Sequence, residues 1–154
     1  MEYWRNSGDW NVSVFLNVTN GEENFTSQNF TYNQLRSLLF NPDTSILFTG
    51  VSNETVNSTN AYPLVVKNDG NQVYDLTLNG TDFTGVFNPS YILGVGNSTY
   101  NETETGNFKS LTLNTQTVFS DFEPTRSENL YFRASIPVGY ISQVYENEIN
   151  FGMG

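Results

Sequence analysis

Residues 62–84, YPLVVKNDGNQVYDLTLNGTDFT, constrain the fold more than any other part of the chain. Two strand-like runs flank Asn68-Asp69-Gly70-Asn71. Asp-Gly between alternating runs is a strong short-range hairpin signal, because both residues tolerate positive φ and match strand twist. Leu64 and Val66 share one face of the first run. Tyr74, Leu76 and Leu78 share one face of the second, with Asp75, Thr77 and Asn79 opposite. Alternation with period two predicts a half-buried antiparallel ribbon.

The rest of the chain repeats that pattern. Across residues 10–19, Trp10, Val12, Val14, Leu16 and Val18 share a face, and Asn11, Ser13, Phe15, Asn17 and Thr19 share the other. The aliphatic face is expected to pack and the polar face to meet solvent. Asn20-Gly21 is a turn, and polar residues 22–33 read as a loop or a weak edge strand. Residues 32–40 hold the one helical pattern, with Leu35, Leu38 and Leu39 at i, i+3 and i+4 and Asn41-Pro42 as a stop. Residues 45–51 read as a short strand. Residues 108–119 read as another, with Leu111 and Leu113 on one face. Leu130, Phe132, Ala134 and Ile136 line a face of residues 129–136, and Tyr145, Ile149 and Phe151 are in phase across 143–151. The pattern predicts an all-β fold, an Ig-like or jelly-roll-type β-sandwich of about eight to ten short antiparallel strands with one short helix. A single domain spans 1–154 in this reading. Residues 1–10 form an extended segment able to add to a neighbour's sheet edge.

Composition narrows the chemistry. The chain has no Cys and no His, which removes disulfides, thiolate chemistry, the usual zinc sites and His-dependent triads. Its formal net charge is −10, and its six cations, Arg5, Arg36, Lys67, Lys109, Arg126 and Arg133, are scattered singly. Nucleic-acid binding needs basic side chains clustered against phosphates, so no nucleic-acid partner is expected. No apolar run reaches the length of a membrane span. The first ten residues contain no apolar signal core, so a secretion signal is expected to be removed or to lie outside this sequence. The lack of an apolar N-terminal helix also argues against a type-IV-pilin or archaeal-flagellin subunit.

Asparagine usage points outside the cell. Asn-x-Ser/Thr sequons begin at Asn11, Asn17, Asn24, Asn29, Asn53, Asn57, Asn79, Asn97 and Asn101, whereas chance pairing of the same residues gives about four or five. An Asn- and Thr-rich β protein gathers some sequons by composition alone. The excess is read as selection for a glycosylated exterior, with N-linked glycans as partners. Both compartment readings agree on an extracellular or cell-surface protein.

No residue is assigned a catalytic role. Sixteen carboxylates leave a glycosidase pair open on composition, yet none has a context that raises its pKa, and solvated acids on an acidic surface explain them. No cofactor is expected. Calcium is the one metal that irregular acidic loops could hold, through Asp69, Asp82, Asp121 and Glu123. Tyr3, Trp4 and Trp10 could form an aromatic platform for sugars, although a Trp in a sandwich more often belongs to the core. Candidate assembly residues are Trp4, Trp10, Val12, Val14 and Leu16 at one end of the chain, and Tyr145, Ile149 and Phe151 at the other.

The run Pro63-Leu64-Val65-Val66-Lys67-Asn68-Asp69-Gly70-Asn71 resembles a strand-turn of secreted prokaryotic β-sandwich proteins, including archaeal cell-surface domains and camelysin/TasA-type fibre proteins. The tail, Leu130 to Gly139 and then Tyr145 to Phe151, is similar to the closing strands of such domains. It departs from them at Gln143-Val144-Tyr145, where Gly-Thr-Tyr is usual. The resemblance implies strand donation between subunits. The expected function is therefore a non-enzymatic structural subunit of an extracellular, pilus-like filament or surface layer, with itself as partner. The alternative is a cell-surface adhesin or carbohydrate-binding module.

Overall fold

A computed structural model describes residues 7–17, 23–42 and 45–154; the side chains of Leu16, Asn17, Glu23 and Asn24 lie outside that description. The described chain is all-β. It runs β1 (Gly8–Asn17), β2 (Glu23–Tyr32), β3 (Leu38–Asn41), β4 (Glu54–Asn57), β5 (Leu64–Asn68), β6 (Tyr74–Gly80), β7 (Phe83–Gly85) and β8 (Ile92–Leu93). After one 3-10 turn at Val95–Asn97 come β9 (Ser98–Asn101), β10 (Lys109–Ser110), β11 (Gln116–Phe122), β12 (Ser127–Ile136), β13 (Tyr145–Glu146) and β14 (Ile149–Met153).

Two sheets make the sandwich. The larger has six strands in the order β10-β9-β12-β5-β3, with β4 also on β12; the smaller has three, β11-β6-β14. The ten-residue β12 is the hub. Its first half pairs with β5, and its second half lies between β9 and β4. Strict alternation builds the core between the sheets. Leu64, Val66, Leu130 and Phe132 come from the larger sheet, and Tyr74, Leu76, Leu78 and Phe122 from the smaller, all nearly or fully buried. Two irregularities break the alternation of β11: the first, between Thr117 and Phe119, leaves Val118 and Phe119 both buried, and the second, between Phe119 and Phe122, holds Asp121 at φ 48°. A third, three-stranded sheet, β13-β7-β8, closes the end of the sandwich beyond Gly80.

The core phenols set the alkaline limit of the fold. Tyr74 is 3% exposed, and its hydroxyl donates to the Ser37 carbonyl at 3.0 Å. Burial pushes its pKa up to about 12, with Arg36 pulling the other way, and burial raises Tyr100 as well. The neutral phenol is therefore favoured in the folded state. Its contribution is whole below pH ~10 and is lost as pH rises toward ~12. Denaturant midpoints measured at pH 9 and pH 11.5 should fall with pH, and Tyr74→Phe should reduce that fall.

Several expectations are corrected. The runs flanking Asp69-Gly70 do not pair with each other: β5 belongs to the larger sheet and β6 to the smaller. The connection is an arch across the core, and Gly70 does not use positive φ. Glycine is needed there because a Cβ would run into the Leu35 carbonyl. No helix forms over 32–40. The Leu35 N–H donates to Asn71 Oδ1 and its carbonyl accepts from the Asn71 N–H, which removes the groups a helical turn would use. Leu38 and Phe40 then face inward and Leu39 outward, as strand β3. Residues 22–33 hold a full strand, β2.

Residues 45–51 keep their alternation, with Ile46 and Phe48 against the core. They form no ladder, because Leu47 bonds partly to the Asn60 side chain. Residues 108–119 split into β10 and β11, which lie in different sheets, so Leu111 is buried while Leu113 is 59% exposed. Residues 143–151 likewise divide between β13 and β14.

Candidate assembly surface

Strands β1 and β2 pair without a bulge from Gly8 opposite Tyr32 to Asn17 opposite Glu23, and neither pairs with any other described strand. They form a ribbon outside the sandwich, and ten residues of strand span about 33 Å. Directly opposed residues share a face. One face carries Trp10 opposite Phe30, Val12 opposite Gln28 and Val14 opposite Thr26. The other carries Asn11 opposite Asn29, Ser13 opposite Ser27 and Phe15 opposite Phe25, whose ring centroids lie 4.9 Å apart.

The aliphatic face was expected to pack, and within its own chain it does not. Val12 is 51% and Val14 47% exposed, and Phe15 on the opposite face reaches 76%. Alternation identified a strand with an apolar face correctly; the cover for that face is not supplied by this chain's described residues. Exposed apolar side chains concentrated on one element mark an interaction surface.

Both legs of the ribbon are fixed to the arch at its base. The Gln72 side-chain amide donates to Ser7 Oγ at 2.6 Å on the incoming side. On the outgoing side, Asn71, 1% exposed, donates from Nδ2 to the Asn33 carbonyl at 2.9 Å and accepts from the Leu35 N–H at 2.6 Å. Asn68 holds the arch from within. Its Nδ2 donates to the carbonyls of Gln72 and Phe122, and its Oδ1 accepts from the Gly70 N–H. The stretch first read as a hairpin thus serves as the mount of a different hairpin.

The sequons divide by what their Nδ2 atoms do. Asn11 and Asn29 are exposed and opposed on the polar face of the ribbon; Asn11 donates from its Nδ2 to Asn29 Oδ1 and accepts on its own Oδ1 from Ser13, the third residue of its sequon. Asn53 is exposed at φ 73°, and Asn57 is exposed with only its Oδ1 engaged, by Arg133. Asn79, Asn97 and Asn101 instead donate from Nδ2 to backbone carbonyls, and Asn101 organises the 101–105 loop through two such contacts and a third to the Thr103 hydroxyl. The side chains of Asn17 and Asn24 lie outside the described residues. Glycan attachment at Nδ2 of Asn101 would break its loop contacts. Asn101→Gln should therefore cost about 1–2 kcal/mol in denaturation, against under about 0.5 for Asn29→Gln.

The remaining candidates are dispersed. Trp4 and Tyr3 lie outside the described residues. Trp10 and Val12 to Val14 are on the ribbon, whereas Ile149 and Phe151 are core-facing residues of β14. Tyr145 sits in the end sheet, with its hydroxyl on the Ile141 carbonyl and its ring against Tyr140. Of the calcium candidates, Asp69 pairs with Lys67 at 2.8 Å, Asp82 accepts from the Val95 N–H at 2.7 Å, and Asp121 lies in the second β11 irregularity before Glu123. Among the described residues no three carboxylates gather into a group that could hold a metal ion. Among them, too, no helix is long and apolar enough to cross a membrane.

Sequence reasoning missed Phe25 and Phe30, because two sequons made residues 22–33 look like a loop. One signal was present: Asn20-Gly21 follows the alternating run of residues 10–19, and Asn-Gly is a hairpin signature in its own right. Compared with protein-family models, with curated proteins and with solved structures, the chain matches none.

Proposed function

We propose that this protein is a non-enzymatic structural subunit of an extracellular filament or surface layer, joined to itself by β-strand addition. One observation carries the reading: among the described residues, a ten-residue ribbon leaves the sandwich with Val12 and Val14 about half exposed and no further strand paired to either of its edges. A free strand edge presents unpaired N–H and C=O groups, which template pairing with another chain. The nine sequons and the net charge of −10 fit a solvated exterior that stays soluble while one surface polymerises. N-linked glycans on Asn11 and Asn29 would keep the polar face of the ribbon in solvent.

Sedimentation velocity of protein from its native source over a hundredfold concentration range tests this. A series of oligomers growing with concentration supports the reading. A single monomer boundary throughout refutes it and moves the weight to a glycan-binding module.

A further inference from the structure

Resting on that polymer reading, we infer that the ribbon of one copy docks on the open edge of β14 in a second copy, with β1 as the added strand. The smaller sheet has three strands facing six, so a two-stranded ribbon would widen it to five. The backbone of β14 is set for this. Asp75 and Gly154 exchange both N–H···O bonds, so the alternate residues Gly152 and Asn150 also turn their backbone groups toward β6. Ile149 and Phe151 therefore point their N–H and C=O groups to the edge away from β6, as does the Met153 N–H, while the Met153 carbonyl there accepts from Arg36; all three side chains face the core.

The core is also thinnest there. The hydrophobic residues only partly buried against it all come from β3, residues 46–48 and β14, the two facing rims of the sandwich, where Phe40 and Phe151 meet at 4.8 Å. Trp10, Val12 and Val14 repeat at i, i+2 and i+4, the spacing of Ile149, Phe151 and Met153. With the aliphatic face over that seam, Asn11 and Asn29 face outward, where glycans do not obstruct docking.

The occupant is a second copy because both legs of the chain's own ribbon are tied at its base to the arch, through Ser7, Asn33 and Leu35. Swinging it onto its own β14 would break those bonds. Charge agrees: the ribbon strands carry Asp9 and Glu23 and no cation, and Arg36 stands at the end of the acceptor edge, 3.3 Å from the Met153 carbonyl oxygen. A ribbon on one copy and an edge on the next make a head-to-tail contact, which propagates as a filament unless its rotation closes a ring.

The chain has no cysteine, so paired cysteines read the contact directly. Ser13 and Asn150 are exposed, and on the docked sheet both lie on the solvent side. Ser13→Cys or Phe15→Cys, covering a two-residue shift in register, is combined with Asn150→Cys. Ser13→Cys with Ser142→Cys, in the bend before β13, is the control. Under mild oxidation a Ser13 or Phe15 pairing with Asn150 should give a ladder of disulfide-linked dimers, trimers and longer species, and the control should give none. Polymers seen by light scattering without that ladder overturn the β14 assignment and leave the filament reading standing. A disulfide within the monomer overturns the second copy as occupant. Absence of polymer in the parent chain removes the filament reading, and this inference with it.

Discussion

Val12→Asp/Val14→Asp abolishes self-association while leaving the sandwich as stable as before. Both valines are about half exposed on a ribbon that pairs with no other described strand, so the isolated subunit loses little when they change. Surface substitutions of this kind shift stability by about 0.5 kcal/mol or less. In the proposed polymer the same two positions would enter an apolar seam. There each valine would contribute about 1.5–3 kcal/mol by leaving water, and each carboxylate would have to be desolvated without a partner. The expected loss is at least about a thousandfold in association constant, or ~4 kcal/mol. Sedimentation gives the association, and a denaturant melt gives the stability. Loss of both together would mean that the ribbon supports the fold instead. Ser13→Asp/Ser27→Asp, on the polar face, is the matched control and should assemble normally.

Asn68→Ala should be among the most damaging single changes to the monomer. Asn68 is fully buried, and its amide satisfies the carbonyls of Gln72 and Phe122 and the N–H of Gly70, at 2.7–2.9 Å. Its removal strands three buried backbone groups, each costing about 1–3 kcal/mol. A loss of about 3–5 kcal/mol is expected, a large share of the roughly 5–15 kcal/mol that holds a domain together. Asn68→Asp should be at least as harmful, because a carboxylate cannot donate to two carbonyls. The arch also mounts the ribbon through Asn71, so partially unfolded Asn68→Ala should lose assembly at temperatures where the wild type keeps it. A midpoint change under 1 kcal/mol in urea would show that the arch is held by its backbone alone.

What the sequence revealed follows from how local each feature is. Alternation in residues 64–68, 74–80 and 127–136 decides which side chains meet the core, and those three strands emerge as read. Sheet membership is not local. Asp69-Gly70 looked like a hairpin turn, and only the tie to Leu35 and Ser37 from the preceding linker turns it into an arch between sheets. Leu35, Leu38 and Leu39 satisfied helical spacing while Leu38 and Phe40 satisfied strand spacing, and pairing of β3 with β5 decided between them. For the assembly surface, Trp10, Val12 and Val14 were named from their period. That Val12 and Val14 stay about half exposed was illegible, because periodicity reports that a face is apolar and never what covers it. The β14 edge was half legible: Ile149 and Phe151 were in phase, but Leu38 and Phe40 on the facing rim were hidden inside the helical reading.

Cryo-electron microscopy of the protein isolated from its native source tests the central claim most directly. The account predicts filaments with a regular subunit repeat, in which the β1–β2 ribbon of each copy continues the β11-β6-β14 sheet of the next and glycan density stands on the outward face at Asn11 and Asn29. Separate monomers with the ribbon bare, at concentrations where a surface polymer must form, would contradict it.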